Sequence, residues 1–155
     1  MNLSRYFESD DGSLPEIEVT FSDPSQVPGA FAHFFARGAR DVTRGGSHLW
    51  IRAAQAERPF AGPGDAALVS SGEADPFHVV LGSITGTGSP IPDLGVSVFT
   101  DSLTLDYRMG PGWGVDEIQS LLSLLLQLQT LGGVVSVPWW GADGERDFQA
   151  ALGGA

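Results

Sequence analysis

The side chains that could do chemistry are few, and the missing ones narrow the choice first. The chain has no cysteine and no lysine; all eight of its Lys and Arg positions are Arg. A thiolate nucleophile, a cysteine-held zinc, a Schiff base, a P-loop lysine and a Ser–Lys dyad are therefore excluded. The histidines stand at 33, 48 and 78, and no pair has the i, i+2 or i, i+4 spacing of metal ligands. Glu73, Asp75 and His78 are close enough in sequence to meet around a cation, yet Pro76 biases Asp75 toward an extended conformation and works against convergence. A half-buried strand histidine beside a turn capped by two acids is the simpler reading. Ser47 beside His48 is adjacency along the chain, whereas catalytic partners must converge in space. Asp101, Asp106, Asp116 and Glu117 offer carboxylates for acid–base work at no diagnostic spacing, and the last two are explained by the positive end of a helix dipole.

One glycine pattern remains. Residues 82–88 read G-S-I-T-G-T-G after an apolar strand, the spacing of some dinucleotide-binding turns. Ser89-Pro90-Ile91-Pro92 follows, and a phosphate-binding helix cannot start there. A surface loop is expected, with no cofactor, no metal and no catalytic residue in the chain.

Recognition chemistry is left. The net charge is −11, unevenly spread. Residues 1–23 carry six acids against Arg5, and residues 59–155 carry eleven against Arg108 and Arg146. Between them, residues 36–58 hold five Arg against Asp41 and Glu57. Such a field repels nucleic acid and anionic membrane and attracts basic partners. The plainer alternative is that acidity only keeps the protein soluble. Candidate partner contacts are Glu16 and Glu18 on one face of a strand, and Asp93 and Asp101 in loops. Trp50, Trp139 and Trp140 join them, because exposed tryptophan is favoured in binding hot spots. Trp50 faces outward if Leu49 and Ile51 face the core, and adjacent Trp139 and Trp140 point to opposite sides of an extended segment. Ordinary core and corner packing is the competing reading for each tryptophan.

The elements that must position these residues centre on 115–131, the longest helical pattern. Ile118, Leu121, Leu122, Leu125 and Leu128 fall at i, i+3, i+4 spacing. Val115, Leu124, Leu126 and Leu131 widen the apolar stripe past half the circumference. Gly114 serves as N-cap, and Gly132 and Gly133 stop the helix. Alternation predicts a strand at 14–21 with Glu16 and Glu18 outward. A helix is predicted at 28–37 and a hairpin from 40–43 to 47–53 around Gly45 and Gly46. Residues 57–65 read as a loop, 66–70 as a strand, 77–81 as the central strand and 82–93 as a long loop. A hairpin of 95–99 with 103–107 follows, then a strand at 134–137 and a short helix at 145–152 capped by Asp143.

This order predicts an α+β fold. Six to seven mostly antiparallel strands carry the long helix and one or two shorter helices on one face. At 155 residues one domain is expected, with 1–12 loosely ordered. Residues 1–11 lack the charged-then-apolar form of a secretory leader, so the cytoplasm is the expected location. Small size, acidity and the lack of a catalytic signature make a profile similar to that of immunity proteins of toxin–immunity pairs, without a diagnostic motif. The expectation is an acidic bacterial protein-binding domain that neutralises a basic partner. A homo-oligomeric adaptor that covers the broad helix stripe with a second copy is an alternative. So is a small-molecule binder with an aromatic-lined pocket between sheet and helix.

Overall fold

The computed structural model describes residues 2–155. In β1 (Glu16–Phe21), Ile17, Val19 and Phe21 are buried and Glu16, Glu18 and Thr20 exposed, the period-two pattern of a half-covered strand. Asp23 accepts from Ser25 N, and Pro24 opens a 3-10 turn that leads into α1 (Val27–Ala36). Helix α1 buries Val27, Ala30, Phe31 and Phe34. Gly38, at φ +91, ends it with its backbone pressed close to Ser83 O.

The expected hairpin of 40–43 with 47–53 does not form. β2 (Arg40–Asp41) pairs with β5 (Phe77–Gly82) instead, and β3 (His48–Ile51) pairs with β4 (Ala56–Pro59), inside the predicted loop. Two local bonds explain the divergence. Asp41 folds back to accept from Thr43 N, and Thr43 Oγ1 accepts from Val80 N, tying this stretch to β5. The true hairpin turn lies at 52–55 and closes with Gln55 in the left-handed region, φ +47, where no glycine or asparagine advertises it. Residues 65–70 are a helix, α2 (Asp65–Ser70), not a strand. Ala66 and Val69, three apart, are the apolar residues it buries.

The predicted loop 82–93 folds into the small hairpin of β6 (Ile84–Thr85) and β7 (Pro90–Ile91). β8 (Leu94–Val98) and β9 (Ser102–Tyr107) form the predicted hairpin. Then come α3 (Val115–Thr130), β10 (Gly133–Ser136) and α4 (Gly141–Gly153). Helix α4 starts four residues before the predicted 145, so Asp143 sits in its first turn rather than at its cap. Gly114 caps α3, and its N–H donates to Glu117 Oε1 at 3.0 Å.

Six strands make one antiparallel sheet in the order β10-β1-β9-β8-β5-β2. The strand predicted to be central, β5, lies next to the edge. The helices cover one face, so the fold is α+β with a mostly antiparallel sheet. Helix α3 buries Leu121, Leu122, Leu124, Leu125 and Leu128 within the chain, leaving Val115 and Leu131 exposed at its ends. No helix of the described residues is long and apolar enough to cross a membrane.

Within the stretch 1–12, expected to be loosely ordered, Leu3 to Phe7 is docked on the core. Leu3 and Phe7 are buried, and Phe7 packs on Tyr107, Trp113 and Trp140 at ring-centroid distances of 4.7, 4.9 and 5.5 Å. Tyr107 donates to Tyr6 O at 2.8 Å, and Gly110 N to Phe7 O. Burial of Leu3 and Phe7, at about 1.5–3 kcal/mol each, together with these hydrogen bonds and ring contacts, offsets an ordering entropy of about 1–2 kcal/mol per residue.

Side chains and loop backbone occupy some of the free backbone groups at the margins of the sheet, at β10 and along the part of β5 that the two-residue β2 leaves uncovered. At β10, Gln149 Nε2 of α4 donates to Val135 O at 2.8 Å, and Val137 N donates to Glu145 Oε1 at 2.9 Å. At β5, Thr43 and Val42 take both backbone groups of Val80, and Ser47 Oγ donates to His78 O. Strand edges left open would pair with other chains.

Candidate partner-binding face

The helix-free face of the sheet follows from register. Directly opposed residues in an antiparallel pair share a face. One row runs Ser136, Glu18, Thr104, Ser97, His78 across five strands. The next runs Glu16, Asp106, Gly95, Val80. On the other side, Val134, Thr20 and Ser102 make a third row, and Phe99 N donates to Ser102 O to extend it. Asp93 is one pair beyond Leu94–Leu81, against Gly82, on the same face.

Glu16, Glu18 and Asp93 thus lie on one face as exposed carboxylates, Asp93 two strands away from β1, and the same register puts exposed Arg40, opposite Gly82, on that face. None of the three is in an ion pair among the described residues, whose ion pairs involve Asp10, Asp65, Asp75, Asp106, Asp143 and Asp147. Asp101 is exposed in the β8–β9 turn at the far end of the face, where its carbonyl accepts from Phe21 N.

The tryptophans separate. Trp140 is packed: it stacks flat on Tyr6 at 4.3 Å, and its Nε1 donates to Tyr107 Oη at 3.0 Å. Trp139 is 55% exposed, in a 3-10 turn, Pro138–Trp140, that runs beside β1 at its Glu16 end. Trp50 is exposed on β3, in the separate two-stranded ribbon, while Leu49 beside it is fully buried. The open face therefore gathers Glu16, Glu18, Asp93 and the flanking Trp139; Trp50 lies off it, and Trp140 belongs to the core.

Asp106 and His78 are the members of this face that the sequence reading did not assign to it. His78 Nε2 is 2.8 Å from Asp106 Oδ2, from β5 to β9, with β8 between them. The carboxylate lies over Gly95, where any Cβ would collide with it. The hydrogen bond and charge of Asp106 raise the His78 pKa above its ordinary value, against the opposing cost of partial burial. Period-two parity within 102–107 is the signal that could have placed Asp106 on this face.

The remaining chemistry-bearing residues go elsewhere. Asp75 pairs with Arg52 at 2.6 Å, and His33 Nε2 is 2.5 Å from Gln127 Oε1. Among the described residues no group of three His, Cys, Asp or Glu side chains could hold a metal ion. The glycine loop lies along α3, with Gly86 pressed against Ser120. Two clefts flank the outer side of α3. One, of about 290 Å³, lies between Leu3 and Ile118; the other, of about 440 Å³, between Gly88 and Asp116. Neither lies between helix and sheet.

Comparison with protein-family models, curated proteins and solved structures gave no match.

Proposed function

We propose that this chain is an acidic protein-binding domain that presents its helix-free sheet face to a basic protein, in the manner of an immunity-type neutralising protein. The observation that carries the reading is that Glu16, Glu18 and Asp93, outside any ion pair among the described residues, share one open face of the sheet while the helices pack on the other. Keeping like charges together costs stability, by a few tenths of a kcal/mol for each close pair. A partner that brings positive charge removes that cost. A field of this sign also speeds encounter with a cationic partner, which serves a protein that must capture its target quickly. Trp139 flanks the acidic end and offers a flat surface for a guanidinium.

The test is capture of partners from a lysate of the source cells on immobilised protein, at about 50 mM and about 500 mM salt. The proposal expects one basic protein, retained at low salt and released at high salt. Recovery of the protein alone, or only with copies of itself, would refute it and favour the adaptor.

A further inference from the structure

The open face is not uniform along its strands, and this bears on the kind of partner it fits. The Glu16 and Asp106 row is acidic. Four residues along β1, about 13 Å away, the row of Val134, Thr20, Ser102 and Phe99 carries no charge. Val134 is 64% exposed and Phe99 39%, and they sit at the two ends of that row. Three strand spacings, about 14 Å, separate them, with only the small side chains of Thr20 and Ser102 between. The result is a shallow trough with apolar ends beside a carboxylate field.

Little edge is offered for strand addition: β2 is two residues long, Thr43 and Ser47 take groups of β5 beyond it, and Gln149 and Glu145 take Val135 O and Val137 N at β10. The broad face is the larger surface on offer, and contact there comes through side chains. Resting on the proposed function, we infer that this face is a two-part docking surface for a folded basic protein. The Glu16–Glu18–Asp106 end steers and pairs with Arg or Lys. The Val134–Phe99 end seats an apolar side chain that lies beside those cations. Charged residues at such a surface set on-rate and salt dependence, whereas a desolvated apolar anchor sets the off-rate. The unequal charge of the two ends, with Asp101 in the β8–β9 turn as the carboxylate beside the Phe99 end, also favours one docking orientation.

Two synthetic probes separate the parts: hexaarginine, and hexaarginine extended by two leucines. Each is titrated into the isotope-labelled chain at about 20 mM salt, and amide shifts are followed. Hexaarginine is expected to shift β1 and β9 around Glu16, Glu18 and Asp106. The leucine extension is expected to tighten binding about fivefold and to bring Val134 and Phe99 into the shifted set. The Val134→Ser/Phe99→Ser variant is expected to lose that gain while binding hexaarginine as before, and both changes are at exposed positions. If hexaarginine leaves Glu16 and Glu18 unshifted, the acidic-face reading itself falls. If it binds there but the leucines add nothing, or shift Trp50 and Val42 instead, only the two-part inference falls. New protection of edge amides at β2 or β10 would overturn the face-on mode.

Discussion

The His78 imidazole and the Asp106 carboxylate meet 2.8 Å apart over a bare backbone at Gly95. Three strands take part in one ion pair, and the middle one contributes by having no side chain. The pair fills part of the open face and leaves Asp106 19% exposed against 45% for His78.

Gly95→Ala should therefore break the pair, although Gly95 has ordinary strand geometry and no conformational need for glycine. A methyl group there meets the Asp106 carboxylate head-on, so Asp106 must swing away or the strands must part. Overpacking of this kind costs about 1–3 kcal/mol. Urea unfolding of Gly95→Ala, alone and combined with Asp106→Ala, checks it. The cost should shrink in the double variant only if the two changes act on the same contact.

The same pair fixes the sign of a pH effect. Its folded-state pKa is raised at His78, so its contribution is fully present below the unfolded histidine value. That contribution is lost as pH rises through the folded value. The wild type should lose up to about 0.5 kcal/mol relative to His78→Gln between about pH 5.5 and pH 8.5, small because the imidazole is nearly half exposed. Equal slopes for the two proteins would show that the pair contributes nothing.

Phe7→Ala tests the docking of the N-terminal segment. The side chain is 1% exposed and meets three aromatic rings, so its removal should cost about 3–5 kcal/mol. A loss below about 1 kcal/mol in denaturant unfolding would show a segment that is not bound to the core.

How much was legible depends on whether the cause was local. The stripe of α3 and the alternation of Glu16 and Glu18 are written in consecutive residues, and both elements form as predicted. Helix α2 is six residues long, too short for its period to be told from a strand. The β3–β4 turn closes on Gln55, a residue type that gives no turn signal. Phe7 looks isolated in a polar segment because the rings that hold it come from 100 or more residues later. For the site, parity alone brings Glu16 and Glu18 to one side. That Asp93 joins them, that Asp106 crosses to His78, and that Trp139 flanks them while Trp140 is packed all depend on strand order, which no short stretch of sequence encodes.

The central claim is that the open sheet face holds a basic partner, and affinity for the captured partner tests it most directly. Binding of the wild type is compared with Glu16→Gln/Glu18→Gln/Asp93→Asn and with a charge-matched control, Glu57→Gln/Glu73→Gln/Asp116→Asn, whose changes lie off the face. The face variant should bind at least about tenfold more weakly with a shallower salt dependence, and the control should stay within about twofold of wild type. Equal losses in the two variants would mean that only net charge matters, and no loss in the face variant would place the contact elsewhere on the molecule.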